Sequence, residues 1–257
     1  MKVGVVGCNG RVGRQIIEEL GNDVWAQKGI EFAGGSARNI EDVQGSFFKT
    51  NNEEELFQAC DVIIDFTLPE GSVAHAKLAA KHQKTLIIGT TGLSVEDEDH
   101  LKEAAKSTVI IYSANMSVGV NLLLSLVEKA AAKLSADWDI EIFEAHHKYK
   151  VDAPSGTALA LGKSAATGRG NSLENLADYN RHGLTGAREK GKIGFSVARG
   201  GDVIGDHTVS FYGDGERLEM THKASNRSLF AKGALHAALW SEGKEAGLYS
   251  MQDVLEL

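Results

Sequence analysis

Three glycines, at 7, 10 and 13, follow directly on an apolar run in Val3-Gly4-Val5-Val6-Gly7-Cys8-Asn9-Gly10-Arg11-Val12-Gly13. No other feature narrows the fold as far. Residues 2–7 read as a strand and 11–20 as a helix, so the glycines occupy a strand-to-helix turn. Glycine there permits a tight turn and a close backbone approach to a pyrophosphate, while the helix N–H groups face the anion. The spacing is G-x-x-G-x-x-G rather than G-x-G-x-x-G, but the physical demands are the same. Gly7, Cys8, Asn9, Gly10, Arg11 and Val12 are thus the first candidate contacts to a dinucleotide.

The rhythm that follows supports a parallel sheet. Apolar runs at 30–35, 61–66, 85–89 and 108–112 alternate with helical patterns at 69–82 and 94–106, with Pro69 suited to a first helical turn. Ligands of such sheets bind beyond the carboxyl ends of the strands. Gly89-Thr90-Thr91-Gly92 and Ser113-Ala114-Asn115-Met116 lie at two of these ends and are candidates for the nicotinamide pocket. Phe66-Thr67 is a weaker candidate of the same kind. After the second strand, Gly34-Gly35-Ser36-Ala37-Arg38-Asn39 contains no acid. A carboxylate there would hold the ribose hydroxyls of NAD, whereas Arg38, with Ser36, suits the 2′-phosphate of NADP. The alternative for Arg38 is a solvated loop position.

Past Tyr112 the pattern changes. Residues 117–134 read as a long helix, 137–145 as a strand and 157–167 as a helix. Three β-rich runs, 192–199, 207–212 and 217–222, are separated by glycine turns and suggest adjacent strands of an antiparallel or mixed sheet. Residues 228–240 return to helix. The expected fold is α/β: a Rossmann-type parallel-sheet dinucleotide-binding domain with an inserted α+β domain. The expected boundaries are 1–116, 117–226 and a C-terminal return, 227–257, to the first domain.

Composition removes several classes of function. Lys+Arg 27 against Asp+Glu 35 gives a net charge of −8, with no basic run, which argues against nucleic-acid binding. Cys8 and Cys60 are too few for a disulfide framework or a zinc site. No apolar run approaches the ~20 residues of a membrane span, and the N-terminus lacks a signal-peptide layout, so the expectation is a cytoplasmic protein.

Residues 141–158, EIFEAHHKYKVDAPSGTA, concentrate proton-transfer and anion-binding groups. The strand ends where the histidines begin, and Pro154-Ser155-Gly156-Thr157 opens a helix that Ser155 or Thr157 can cap. Histidine and lysine beside free helix N–H groups suit a small carboxylate substrate. A metal site built from His146, His147 and Glu144 is disfavoured, because adjacent strand residues point to opposite faces. His75, His82, His100 and His182 read as surface residues; His222 and Asp152 carry no assigned role.

GCNGRVG at the N-terminus, GTTGLS at 89–94, SANMSVGVN at 113–121, EAHHKYKVDAPSGTA at 144–158 and THKASNRSLFAKGALHAALW at 221–240 together resemble the 4-hydroxy-tetrahydrodipicolinate (dihydrodipicolinate) reductases of bacterial lysine and diaminopimelate synthesis. The resemblance implies NADH- or NADPH-dependent reduction of 4-hydroxy-tetrahydrodipicolinate, via dihydrodipicolinate, to 2,3,4,5-tetrahydrodipicolinate, without a metal. It implies hydride from C4 of the nicotinamide, then protonation of the enamine by His146. Lys150 is implied as a second proton donor or charge stabiliser, His147 as a substrate-binding residue, and Ser155, Gly156 and Thr157 as the holder of a substrate carboxylate. It assigns Gly7 to Val12, Arg38, Gly89 to Thr91, and Ser113 to Met116 to the cofactor, and the inserted domain to substrate binding and a homotetramer. Some members carry an acid where this chain has Ala37, so NADPH use is at least tolerated here. A different Rossmann oxidoreductase would explain the glycine loop but not the His-His-x-x-Lys run, and a regulatory module would not need His146 and Lys150.

Overall fold

The computed structural model describes residues 1–257 and divides into two units, Met1–Val118 with Ser228–Glu256, and Gly119–Arg227 with Leu257. The first unit contains strands β1 (Lys2–Val6), β2 (Glu31–Ser36), β3 (Lys49–Thr50), β4 (Val62–Asp65), β5 (Thr85–Ile88) and β6 (Val109–Tyr112). Its helices are α1 (Arg11–Leu20), α2 (Asp23–Gln27), α3 (Glu53–Ala59), α4 (Pro69–His82) and α5 (Val95–Ala104). Helix α6 (Val118–Lys133) leads into the second unit, which holds β7 (Asp139–His146), α7 (Gly156–Gly168), α8 (Leu173–Leu176), β8 (Ala177–Asp178), β9 (Ile193–Arg199), β10 (Gly205–Gly213) and β11 (Glu216–Ala224). Helix α9 (Ser228–Trp240), β12 (Gly247–Tyr249) and α10 (Met251–Val254) rejoin the first unit.

The first sheet runs β12-β6-β5-β4-β1-β2-β3, with every pairing parallel. Val62, Ile63 and Ile64 of β4 and Leu86, Ile87 and Ile88 of β5 are buried on both faces, as helix-covered parallel strands must be. Pro69 stands in the first turn of α4, and Ser94 and Asp97 form a capping box on α5. Helix α3 and strand β12 lie outside the elements expected from the sequence. Helix α3 is nevertheless capped by Asn52, whose side chain accepts from Glu54 N.

The second sheet is mixed, in the order β11-β10-β7-β9-β8. Strands β9 and β10 are not neighbours, contrary to the expectation of three adjacent strands. Strand β7 lies between them, pairing parallel to β9 and antiparallel to β10. The five residues 200–204 thus cross an end of β7, whereas Asp214-Gly215 makes the true hairpin between β10 and β11. Gly215 takes a φ of +84°, a conformation that favours glycine. Along β7 burial alternates: Ile140, Ile142, Glu144 and His146 share the covered face, with Asp139, Glu141 and Phe143 on the other. Ile140 and Ile142 join Leu123 and Val127 of α6 and Leu161 and Ala165 of α7 in one apolar cluster. No helix of the protein is long and apolar enough to cross a membrane.

Candidate active site

The period-two repeat that buries Ile140 and Ile142 also buries Glu144 and His146, so a carboxylate and an imidazole enter the site on one face of β7. Glu144 Oε2 lies 2.6 Å from His146 Nδ1. Arg199, at the end of β9, grips the same carboxylate with both terminal nitrogens, Nη1 donating to Oε2 at 2.8 Å and Nη2 to Oε1 at 2.7 Å. The Ser155 amide donates to Oε1 at 3.0 Å. The β7–β9 register brings these groups together by pairing His146 with Arg199. Arg199 Nη2 also donates to the Asp152 carbonyl at 2.6 Å, tying down the loop after the histidines.

Burial would raise the Glu144 carboxyl, but the bonds from Arg199, His146 and Ser155 outweigh it and hold the group below the usual carboxylate range. His146 is pushed down by burial, supported by the charges of Lys150 and Arg199, against the upward pull of Glu144. His207 on β10 stands edge-on to His146, ring centres 5.1 Å apart. Burial and the neighbouring His146 push His207 down to about 4, so it is neutral near neutrality. Lys150 Nζ pairs with Asp152 at 2.8 Å, giving Asp152 an orienting contact.

Ser155 is the N-cap of α7. Its Oγ accepts from Ala158 N at 3.2 Å and pairs with His207 Nε2 at 3.1 Å. Both its amide and its hydroxyl are thus engaged inside the unit, whereas Gly156 is exposed and an added Cβ there would meet nothing within 4 Å. His147 lies just past the strand, half-buried, with a buried Nδ1 that has no hydrogen-bond partner.

In the parallel-sheet unit the glycine loop is sterically obligatory. Gly7 has a φ of +65°, and a Cβ on Gly13 would lie 2.3 Å from the Gly7 carbonyl. Gly10 is the N-cap of α1 and supplies no side-chain cap, leaving first-turn amides without one. Cys8 is buried; its amide donates to Ser36 O and its side chain fills the space over Gly35, so it packs the loop from beneath. Asn9, Gly10, Arg11 and Val12 stay at least partly accessible. At the end of β2, Ser36 Oγ is buried without a partner and Arg38 is exposed. Gly89 is pressed against the Phe66 ring, Thr90 Oγ1 accepts from Ser72 Oγ at 2.8 Å, and Thr91 is exposed. Ser113 N donates to Ile88 O and Ser113 Oγ to Asn115 O, while Ala114 is exposed. Met116 is fully buried, its carbonyl against Gly233 of α9.

Two histidines expected at the surface are not there. His75 is 1% exposed, with Nδ1 2.8 Å from Asp65 Oδ2 and Nε2 in ion-pair range of Glu53 at 3.1 Å. Burial opposes its charge, yet Asp65 and Glu53 raise it to about 9. His82 is half-buried, 3.0 Å from Glu54. Sequence reasoning also passed over Glu144 as a partner of His146, and over Arg199 altogether. The spacing of Glu144 and His146 two apart on one strand was the available signal.

An all-parallel sheet with a glycine-bound first turn, in a chain that also carries a histidine–carboxylate centre, has the makeup of a dinucleotide-dependent oxidoreductase. The sequence pattern of the family "Dihydrodipicolinate reductase, N-terminus" matches residues 1–116, and that of "Dihydrodipicolinate reductase, C-terminus" matches 119–255. The 4-hydroxy-tetrahydrodipicolinate reductase of Burkholderia vietnamiensis is 47% identical over 264 residues, covering 100% of both chains. That of Dinoroseobacter shibae is 48% identical over 268 residues, covering 98% of this chain and 97% of its own. The dipicolinate-bound dihydrodipicolinate reductase from Paenisporosarcina sp. TG-14 shares the fold, with a TM-score of 0.79 at 22% identity over 98% of each chain. The chain belongs to the dihydrodipicolinate reductase family, oxidoreductases of lysine and diaminopimelate synthesis that use a nicotinamide dinucleotide.

Proposed function

We propose that in this chain the reduction of 4-hydroxy-tetrahydrodipicolinate, via dihydrodipicolinate, to 2,3,4,5-tetrahydrodipicolinate is completed by His146 as proton donor. The observation that carries this reading is that one carboxylate, Glu144, bonds both the His146 ring and the amide of Ser155, the N-cap of α7, with the charge of Lys150 acting on the same ring. A dicarboxylate brings negative charge to a histidine held below its ordinary pKa, which raises its proton affinity where the proton is needed. Lys150 stabilises developing negative charge or gives a second proton. Gly156 and Thr157 bind one carboxylate at the α7 N-terminus, Ser155 holds that turn in place, and His147, whose buried Nδ1 has no partner within the protein, is a further substrate-binding group. The dipicolinate bound by the Paenisporosarcina enzyme supports a dicarboxylate here.

The residues fit a nicotinamide dinucleotide: glycine at 7 and 13 lets the loop close tightly on itself, since a Cβ at Gly13 would strike the Gly7 carbonyl, and Ser36 Oγ at the end of β2 is a buried hydroxyl without a partner, suited to a ribose or its phosphate. When bound, the dinucleotide supplies the hydride from C4 of its nicotinamide. Gly7, Asn9, Gly10, Arg11 and Val12 hold its pyrophosphate with Cys8 beneath them, and Gly89, Thr90, Thr91, Ser113, Ala114, Asn115 and Met116 shape the nicotinamide end. Ala37 in place of an acid, with Arg38 beside it, favours NADPH while leaving NADH usable.

The outer face of the five-stranded sheet, with Phe143 46% and Tyr212 39% exposed, is the surface we assign to a homotetramer. Coupling the chain to dihydrodipicolinate synthase and following nicotinamide absorbance tests the assignment. Oxidation of the reduced cofactor that depends on the synthase product is expected; none with either cofactor would overturn it.

A further inference from the structure

Glu144 makes more contacts than a histidine partner needs. A carboxylate has about four lone-pair sites, and here all four are taken. Oε2 meets His146 Nδ1 and Arg199 Nη1; Oε1 meets Ser155 N and Arg199 Nη2. The group is 1% exposed. One carboxylate therefore holds the ring of the proton donor and, through the Ser155 amide, the first turn of α7. His207 closes the circuit on the other side, its Nε2 on Ser155 Oγ and its ring against His146.

We infer that Glu144 is a positioning residue that fixes His146 in the tautomer with its proton on Nδ1 and locks the donor at a set distance from the carboxylate-binding turn, with Arg199 keeping Glu144 ionised. The inference rests on His146 being the proton donor. An ionised acceptor at Nδ1 makes Nε2 the nitrogen that exchanges protons with substrate. Gly205 leaves that nitrogen its room, since a Cβ there would lie 3.0 Å from Nε2. Arg199 is required because an unpaired buried carboxylate would take up a proton and cease to orient the ring. Charged and titratable groups face His146 from every element packed against it. They are Glu144 from β7, Arg199 from β9, His207 from β10 with His222 paired behind it on β11, and Lys150 with Asp152 from the loop. Glu144 alone among them bonds its ring, so removal of that charge lowers the proton affinity of Nε2.

Glu144→Gln keeps the shape and removes the charge. The expected result is a fall in kcat of about 100-fold or more, with the basic limb of the kcat–pH profile moved to lower pH. NADPH affinity, which belongs to the other unit, stays within about twofold. Because Glu144 acts through His146, Glu144→Gln combined with His146→Gln should be no slower than His146→Gln alone. A wild-type pH profile in Glu144→Gln, or fully multiplicative losses in the double variant, overturns the inference. Should Glu144→Gln fail to fold, Glu144→Asp draws the carboxylate back from Nδ1 and gives the same shift at smaller size; an unmoved profile there is equally fatal. His146→Gln alone separates the two readings: if it retains full turnover, the proton-donor assignment itself fails.

Discussion

Each unit buries one carboxylate–imidazole pair, Asp65–His75 beneath the parallel sheet's strand ends and Glu144–His146 on β7, and the two histidines are driven in opposite directions. Burial disfavours the charged ring in both. His75 faces two carboxylates, Asp65 and Glu53, and is raised to about 9. His146 faces one carboxylate already gripped by Arg199, with Lys150 nearby, and is lowered. Proximity to a carboxylate thus does not set a histidine's charge. The balance of burial, the number of carboxylates and the cations beside the ring does. His75 is a fixed cation that ties β4 to α3 and α4, whereas His146 is held ready to change state.

The strongest way to break this comparison is to remove each imidazole in turn. His146→Gln should lower kcat by about 10²–10⁴-fold while NADPH still binds, as read by fluorescence titration. Turnover within about threefold of the parent would take His146 out of the reaction. His75→Leu leaves Asp65 buried and uncompensated, so urea unfolding should show a loss of about 3–5 kcal/mol, with kcat of the folded protein little changed. The pH dependence sharpens the contrast further. His75 has a folded pKa above its unfolded value, so its stabilisation is complete below about pH 6.5 and fades as pH rises through about 9. A shift from 6.5 to about 9 corresponds to about 3 kcal/mol, and the loss of that stabilisation over this window should be absent in His75→Leu. The smallest effect belongs to Arg38, whose charge also acts on Glu53. Arg38→Ala should weaken NADPH by about tenfold and leave NADH nearly unaffected. Equal weakening of both would return Arg38 to the solvated loop.

Much of this was legible in the sequence, for identifiable reasons. The glycine loop and the alternation of strands with helices are local patterns with their own periods, and β1, α1 and α4 follow them. Ser155 as a cap was readable from Pro-Ser-Gly-Thr before a helical run. The Glu144–His146 relation is present in the two-residue period of β7, but it becomes visible only where the strand is known to run through His146 rather than to end at residue 145. Arg199 was not readable, because it reaches Glu144 only through a parallel pairing of β7 with β9 that glycine-rich residues 200–204 disguise as a hairpin. His75 sits on a helix of weak amphipathic pattern, and its partners lie on other elements. Strand β12 is three residues long and exists because β6 offers it an edge.

The charge states of the two histidines test the comparison most directly. In protein labelled with ¹⁵N-histidine and held at about pH 7.5, imidazole nitrogen shifts report which ring nitrogens carry protons. The expected spectrum shows His75 with both nitrogens protonated and His146 neutral, with its single proton on Nδ1. Equal charge on the two rings, or a His146 proton on Nε2, would contradict it.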